Sequence, residues 1–335
     1  MTLHETQAAP AAPARPAQQS PVIIRTENLS KQFGEQFAVK DVSFQLPRGS
    51  IFGFIGPSGS GKTTTLRLLT GIYQPTEGAV RVLDRNPTQF KRKDRERIGY
   101  LPQLFVLYPD LSVQENMSFA ASVYGVGMRT RRKRIRQLLD FVELYEHRRK
   151  LVKQISGGMQ RRLSLAATLI HSPELLFLDE PTAGIDPVLR RKFWDYFQEL
   201  QNNGVTLFIT TQYVGEAAYC DFVGVMADGR LLMVDTPEGL RKSAYSGEMV
   251  NLQAKERIDY HHVRSLREQP YVVGDLLRIN ENYLRITVDE ASTAMPALLN
   301  WADREDITIE SIEEYLPPFD DVFVKLIQRF SPNAQ

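Results

Sequence analysis

The chain has 335 residues, room for about two domains, and 42% of them are hydrophobic, enough for a sizeable core. Its 41 basic and 40 acidic residues leave a formal charge of +1, which argues against nucleic-acid binding by a bulk positive field. A single cysteine, Cys220, excludes an internal disulfide framework and a cysteine-rich zinc site, and no stretch approaches the ~18 uninterrupted apolar residues of a membrane span.

Residues 1–21 are rich in Ala, Pro and Gln and poor in large apolar side chains, so they read as a disordered tail. They lack the apolar segment of a secretory signal. The folded chain is expected from Val22, with a first domain over 22–243. Ile51–Ile55 is a short apolar strand, and Gly56-Pro57-Ser58-Gly59-Ser60-Gly61-Lys62-Thr63-Thr64 follows it at once. This fits G-x-x-x-x-G-K-[ST] between a strand and a helix, a phosphate loop. Its glycines let backbone N–H groups face phosphates, Lys62 can reach the β- and γ-phosphates, and the Thr63 hydroxyl can ligate Mg²⁺. The helix that begins at Thr64 is expected to stop at Gly71.

Between Gln103 and Ser156 the pattern turns helical. Ser112 and Glu115 form a capping box, and Ile135, Leu138, Leu139 and Val142 share one helix face. Six basic residues, Arg129, Arg131, Arg132, Lys133, Arg134 and Arg136, are either a solvated helix face or a contact for anionic lipid headgroups. Ile155-Ser156-Gly157-Gly158-Met159-Gln160-Arg161 then opens a helix that Ser156 can cap, and its free N–H groups make a second anion site. Leu175–Leu178 is an apolar strand that ends in Asp179 and Glu180. Asp179 at the edge of a parallel sheet can hold Mg²⁺, and Glu180 can polarise an attacking water. Asp186 can cap the next helix, with Pro187 at its first position.

Taken together and in this order, the motifs resemble the nucleotide-binding subunits of ABC transporters over roughly Ile24–Lys242. The resemblance implies an α/β P-loop NTPase core with a helical insert at about 104–165. It implies that Ser156, Gly157, Gly158 and Gln160 form the family signature, which serves the ATP of a second subunit in a head-to-tail homodimer. Met159 stands where the family usually has Gln. Gln103 resembles the Q-loop that touches the metal, Phe33 stands where an aromatic stacks on adenine, and Asp186 lies in the D-loop. Gln212 follows the strand 205–210 where the family usually has His. It is either a working substitute beside Glu180 or the mark of an ATP-gated clamp with little turnover. The Thr211-Gln212-Tyr213 form resembles the drug-export ATPases of the daunorubicin-resistance type.

A linker is expected at Ser243–Glu248, followed by a small α+β accessory domain over 249–330. Leu284, Ile286 and Val288 alternate as in a strand, Ile307–Ser311 suggests another, and Phe319, Val322, Phe323, Leu326 and Ile327 form a helical stripe. The expected function is an ATP- and Mg²⁺-dependent ATPase that powers an integral membrane permease, working at the cytoplasmic face of the membrane without nucleic acid. A soluble ABC protein acting on ribosomes or DNA is the alternative. One motif set and the absence of a long heptad run count against it.

Overall fold

The computed structural model describes residues 21–104 and 106–330. All but the last residue of the tail expected over 1–21 lie outside the described residues. The chain order is β1 (Val22–Phe33), β2 (Gln36–Pro47), β3 (Ile51–Ile55), α1 (Lys62–Leu69), β4 (Glu77–Val82), α2 (Arg92–Arg95) and β5 (Ile98–Leu101). The helical insert contributes α3 (Val113–Val123), α4 (Met128–Phe141) and α5 (Gly157–Thr168). Then come β6 (Leu175–Asp179), α6 (Pro187–Asn202), β7 (Thr206–Thr211), β8 (Phe222–Ala227), β9 (Arg230–Asp235) and α7 (Pro237–Tyr245). The last part holds β10 (Glu248–Ala254), α8 (Tyr260–Arg267), β11 (Val272–Arg278), β12 (Tyr283–Val288), α9 (Ala291–Arg304), β13 (Ile309–Tyr315) and α10 (Phe319–Phe330).

The central sheet has the order β5-β6-β7-β3-β8-β9, parallel except for β9. Every residue of β3, β6 and β7 is buried, as expected of strands covered on both faces. Because β6, β7 and β3 are parallel neighbours, their C-terminal ends lie side by side. A second sheet, β2-β1-β4, is antiparallel and shares a core with one face of the central sheet, where Phe44, Phe52 and Phe208 stack. Helix α1 stops as expected: Gly71 takes φ +74°, its N–H donates to Leu68 O, and Ile72 N–H donates to Arg67 O.

The C-terminal part is an antiparallel sheet, β11-β12-β10-β13, with α8 and α9 on one face around Trp301. The expected linker at Ser243–Glu248 is not an extended connection. Helix α7 runs through Ser243 to Tyr245, and β10 begins at Glu248, so the joint is Ser246 and Gly247. Nor does the stripe of α10 belong to the small domain. Phe319, Val322 and Leu326 lie in the main core with Ile55, Ala217, Val223 and Leu240. No helix among the described residues is long and apolar enough to cross a membrane.

Candidate active site

The phosphate loop closes the C-terminal end of β3. Gly59 and Gly61 take φ of +80° and +101°, and a Cβ on Gly56 would come within 2.2 Å of Met226 O, so the loop needs glycine there. Lys62 is 4% exposed, and its Nζ donates to the carbonyls of Gly56 and Pro57 at 2.8 Å each. Burial pushes its pKa down, opposed by the charges of Glu180 and Asp179. Ser60 Oγ is buried without a hydrogen-bond partner. Pro57, Ser58 and Gly59 are exposed, while Thr63 and Thr64 lie in the first turn of α1, which begins at Lys62, two residues before the expected start.

Asp179, 2% exposed, ends β6 beside this loop. Its Oδ1 accepts from Thr63 Oγ1 at 3.1 Å and from Thr210 Oγ1 at 2.6 Å. Hard oxygen donors converging in this way fit Mg²⁺. Glu180 follows with φ +47°, a left-handed conformation unusual for a glutamate. Its N–H is held by Thr210, through the carbonyl at 3.0 Å and the hydroxyl at 3.1 Å. Its carbonyl accepts from Arg161, which also donates to Pro181 O and Gln103 O at 2.7 Å each. Arg161 is 3% exposed, and burial lowers its pKa. Gln103 Nε2 donates to Glu180 Oε2 at 2.9 Å. Gln212, just past β7, is exposed at the same end of the sheet.

The structure therefore brings together Lys62, Thr63, Asp179, Glu180 and Gln103, with Gln212 on the adjoining strand end. Phe33 is 47% exposed and meets Tyr73 edge to face at 5.4 Å. Ser156, Gly157 and Gly158 stand apart: among the described residues no hydrogen bond joins them to the phosphate loop. Ser156 caps α5 by accepting from Met159 N–H at 3.3 Å, and Asp186 caps α6 by accepting from Leu189 N–H at 2.9 Å. Gln160 is engaged within its own chain. Its amide turns inward and donates to Val152 O and Ile155 O at 3.2 Å each, so it braces the loop before the helix. Arg161 and Thr210 are site residues that motif reading missed. The only sequence signal for Thr210 is the polar pair Thr210-Thr211 closing an apolar strand.

The description "ABC transporter" fits residues 39–183. Over 304 residues the chain is 32% identical to the daunorubicin resistance ATP-binding protein DrrA3 of Streptomyces coeruleorubidus, covering 90% of this chain and 95% of that one. The chain belongs to the ABC transporter ATP-binding family. This ABC chain is also 37% identical over 226 residues to the probable multidrug ABC transporter ATP-binding protein YbhF of Escherichia coli K12. That match takes in 68% of the chain and spans 39% of the length of YbhF. Among solved structures it resembles the ATP-binding cassette MJ0796, dimeric in a post-hydrolysis state with ADP and Pi. There the TM-score is 0.58 at 27% identity, over 64% of this ABC chain and 98% of MJ0796.

Proposed function

We propose that the chain is the ATP-hydrolysing subunit of an exporter, closing on ATP as a head-to-tail pair and driving a separate integral membrane permease. The observation that carries this reading is the meeting of Lys62, Thr63, Asp179 and Glu180 at the ends of β3 and β6. Thr63 and Asp179 would hold Mg²⁺, which when bound neutralises charge on the phosphate oxygens. Lys62 would exchange its two carbonyls for phosphate oxygens. Glu180, set by Arg161 and Thr210, would take the proton of the attacking water, and Gln103, already against its carboxylate, would orient that water. Phe33 offers an exposed ring face to adenine. Gln212 can donate to a phosphate oxygen but cannot titrate near neutral pH.

A pair of copies is supported by the helix-start N–H groups of Gly157 and Gly158, which among the described residues make no hydrogen bond to the phosphate loop of their own chain. A second copy would bring them to the γ-phosphate, with the Asp186 loop beside them. Drug export agrees with what the names of DrrA3 and YbhF say of those proteins. Permease docking finds support where the insert meets the central sheet, at a cavity of about 620 Å³ that includes Ile72, Tyr100, Val123 and Tyr124. Val106, 77% exposed, lines an adjoining cavity that shares Tyr100, Val123 and Tyr124 with it. Lipid contact by α4 is left to fewer residues than its sequence suggests. Arg134 donates to Leu169 O and Arg131 to Val126 O, while Arg129, Arg132, Lys133 and Arg136 are exposed, the last loosely paired with Asp140.

Steady-state phosphate release with ATP and Mg²⁺ tests the reading. The wild type should turn over, and Glu180→Gln should lose on the order of a hundredfold or more in kcat while still binding ATP. Wild-type turnover as low as that of Glu180→Gln would favour the clamp that Gln212 suggests.

A further inference from the structure

Glu216 is 3% exposed and plays no part in the chemistry above. It lies in the short turn Val214–Tyr219 that follows Gln212. Its Oε1 accepts a 2.6 Å hydrogen bond from Thr182 Oγ1, and Arg190 Nε stands 3.6 Å away. The Arg190 guanidinium lies 3.9 Å from the centre of the Tyr213 ring. Oε2 is buried without a hydrogen-bond partner.

These contacts join three segments. Thr182 is fully buried and sits just beyond Glu180 and Pro181. Arg190 is in the first turn of α6, where its N–H donates to Asp186 O at 2.9 Å. Tyr213 is the neighbour of Gln212. A buried, half-partnered carboxylate is a poor source of stability, since an apolar side chain of the same volume would often serve the turn as well. What it supplies is a directional bond that sets the spacing of the segments it joins.

We infer that Glu216 is a positioning residue for ATP hydrolysis: through Thr182 and Arg190 it holds the Gln212 segment in register with Glu180 and with the Asp186 loop. A shift of that loop on pairing with a second copy would then reach Gln212 through one carboxylate. The inference rests on the hydrolytic reading proposed above.

The test measures phosphate release by the full chain, with kcat normalised to the fraction that binds a fluorescent ATP analogue. Thr182→Val removes the hydroxyl donor at nearly constant volume, and Glu216→Ala removes the carboxylate; each is made alone and with Gln212→Ala. Each single change should lower kcat about tenfold and leave KM for ATP within about twofold, as expected of a small misplacement near the reacting atoms. Gln212→Ala should then cost far less in either background than in the wild type, because its side chain is already out of place. Glu216→Gln, which keeps an acceptor for Thr182, should recover most of the kcat lost in Glu216→Ala. Strictly additive effects, or a Thr182→Val protein with wild-type kcat, overturn the inference. Should Glu216→Ala fail to fold, Thr182→Val and its double variant decide alone. A wild-type chain that releases no phosphate overturns the hydrolytic reading instead.

Discussion

A non-glycine residue in the left-handed region carries about 1–2 kcal/mol of strain, and Glu180, the proposed base, is one of those that adopt it here. Arg161 holds it by giving its guanidinium to three carbonyls, those of Glu180, Pro181 and Gln103. Arg161→Ala leaves those buried acceptors unmet and should destabilise the fold by about 2–4 kcal/mol in urea titrations. Its kcat per folded molecule should fall as well, and a loss under about 0.5 kcal/mol would contradict the bracing role. Gly56→Ala drives a methyl group against Met226 O, so it should cost about 1–3 kcal/mol and weaken ATP binding, read by titration with an ATP analogue. Lys62, Thr63, Asp179 and Glu180 are legible in the sequence because each directly follows an apolar strand or glycine-rich run that names its place. Arg161, Thr182, Thr210 and Glu216 are not. Their partners lie far along the chain, and nothing in the neighbouring residues says which loop they will meet.

At the scale of elements, local chemistry is legible and partners are not. The cap of α5 by Ser156, the box at Ser112 and Glu115 and the stop at Gly71 all follow from short-range rules. Ser156→Ala should lower stability by about 1 kcal/mol, measured as a shift in denaturation midpoint. The joint between α7 and β10 is hidden from the sequence because its polar composition suits a helix end as well as a linker. The lower edge of the central sheet has an electrostatic tie of its own. Arg97 first, then Arg48, holds the Glu174 carboxyl down to about 2 against an ordinary 4.5. A carboxyl with a depressed folded pKa stabilises above its unfolded value and loses that contribution as pH falls towards the folded one. Glu174→Gln should therefore lower stability at pH 7, by about 1 kcal/mol or less because the pair is partly in solvent. The gap should narrow from pH 4.5 downward, and urea midpoints at pH 7, 4 and 3 would show it. A constant gap would contradict the tie.

At the scale of the molecule, the last helix, α10, follows the small C-terminal sheet in the chain but packs into the main core. The stripe of α10 is legible as something to be buried, but a stripe does not say against what. The structure sets it on α7 and on the turn after Gln212, with Phe319, Val322 and Leu326 inside the main core. Truncation after Leu316 should uncover that core and lower Tm by more than about 5 °C. An unchanged Tm would make the helix a loose appendage. The same scale holds the central claim, that the site in one chain is completed by the signature of another. Sedimentation of Glu180→Gln with and without ATP and Mg²⁺ tests it most directly. The account predicts a monomer without nucleotide or with ADP and a dimer with ATP, lost again in Ser156→Arg. A protein that stays monomeric under saturating ATP and Mg²⁺ would contradict it.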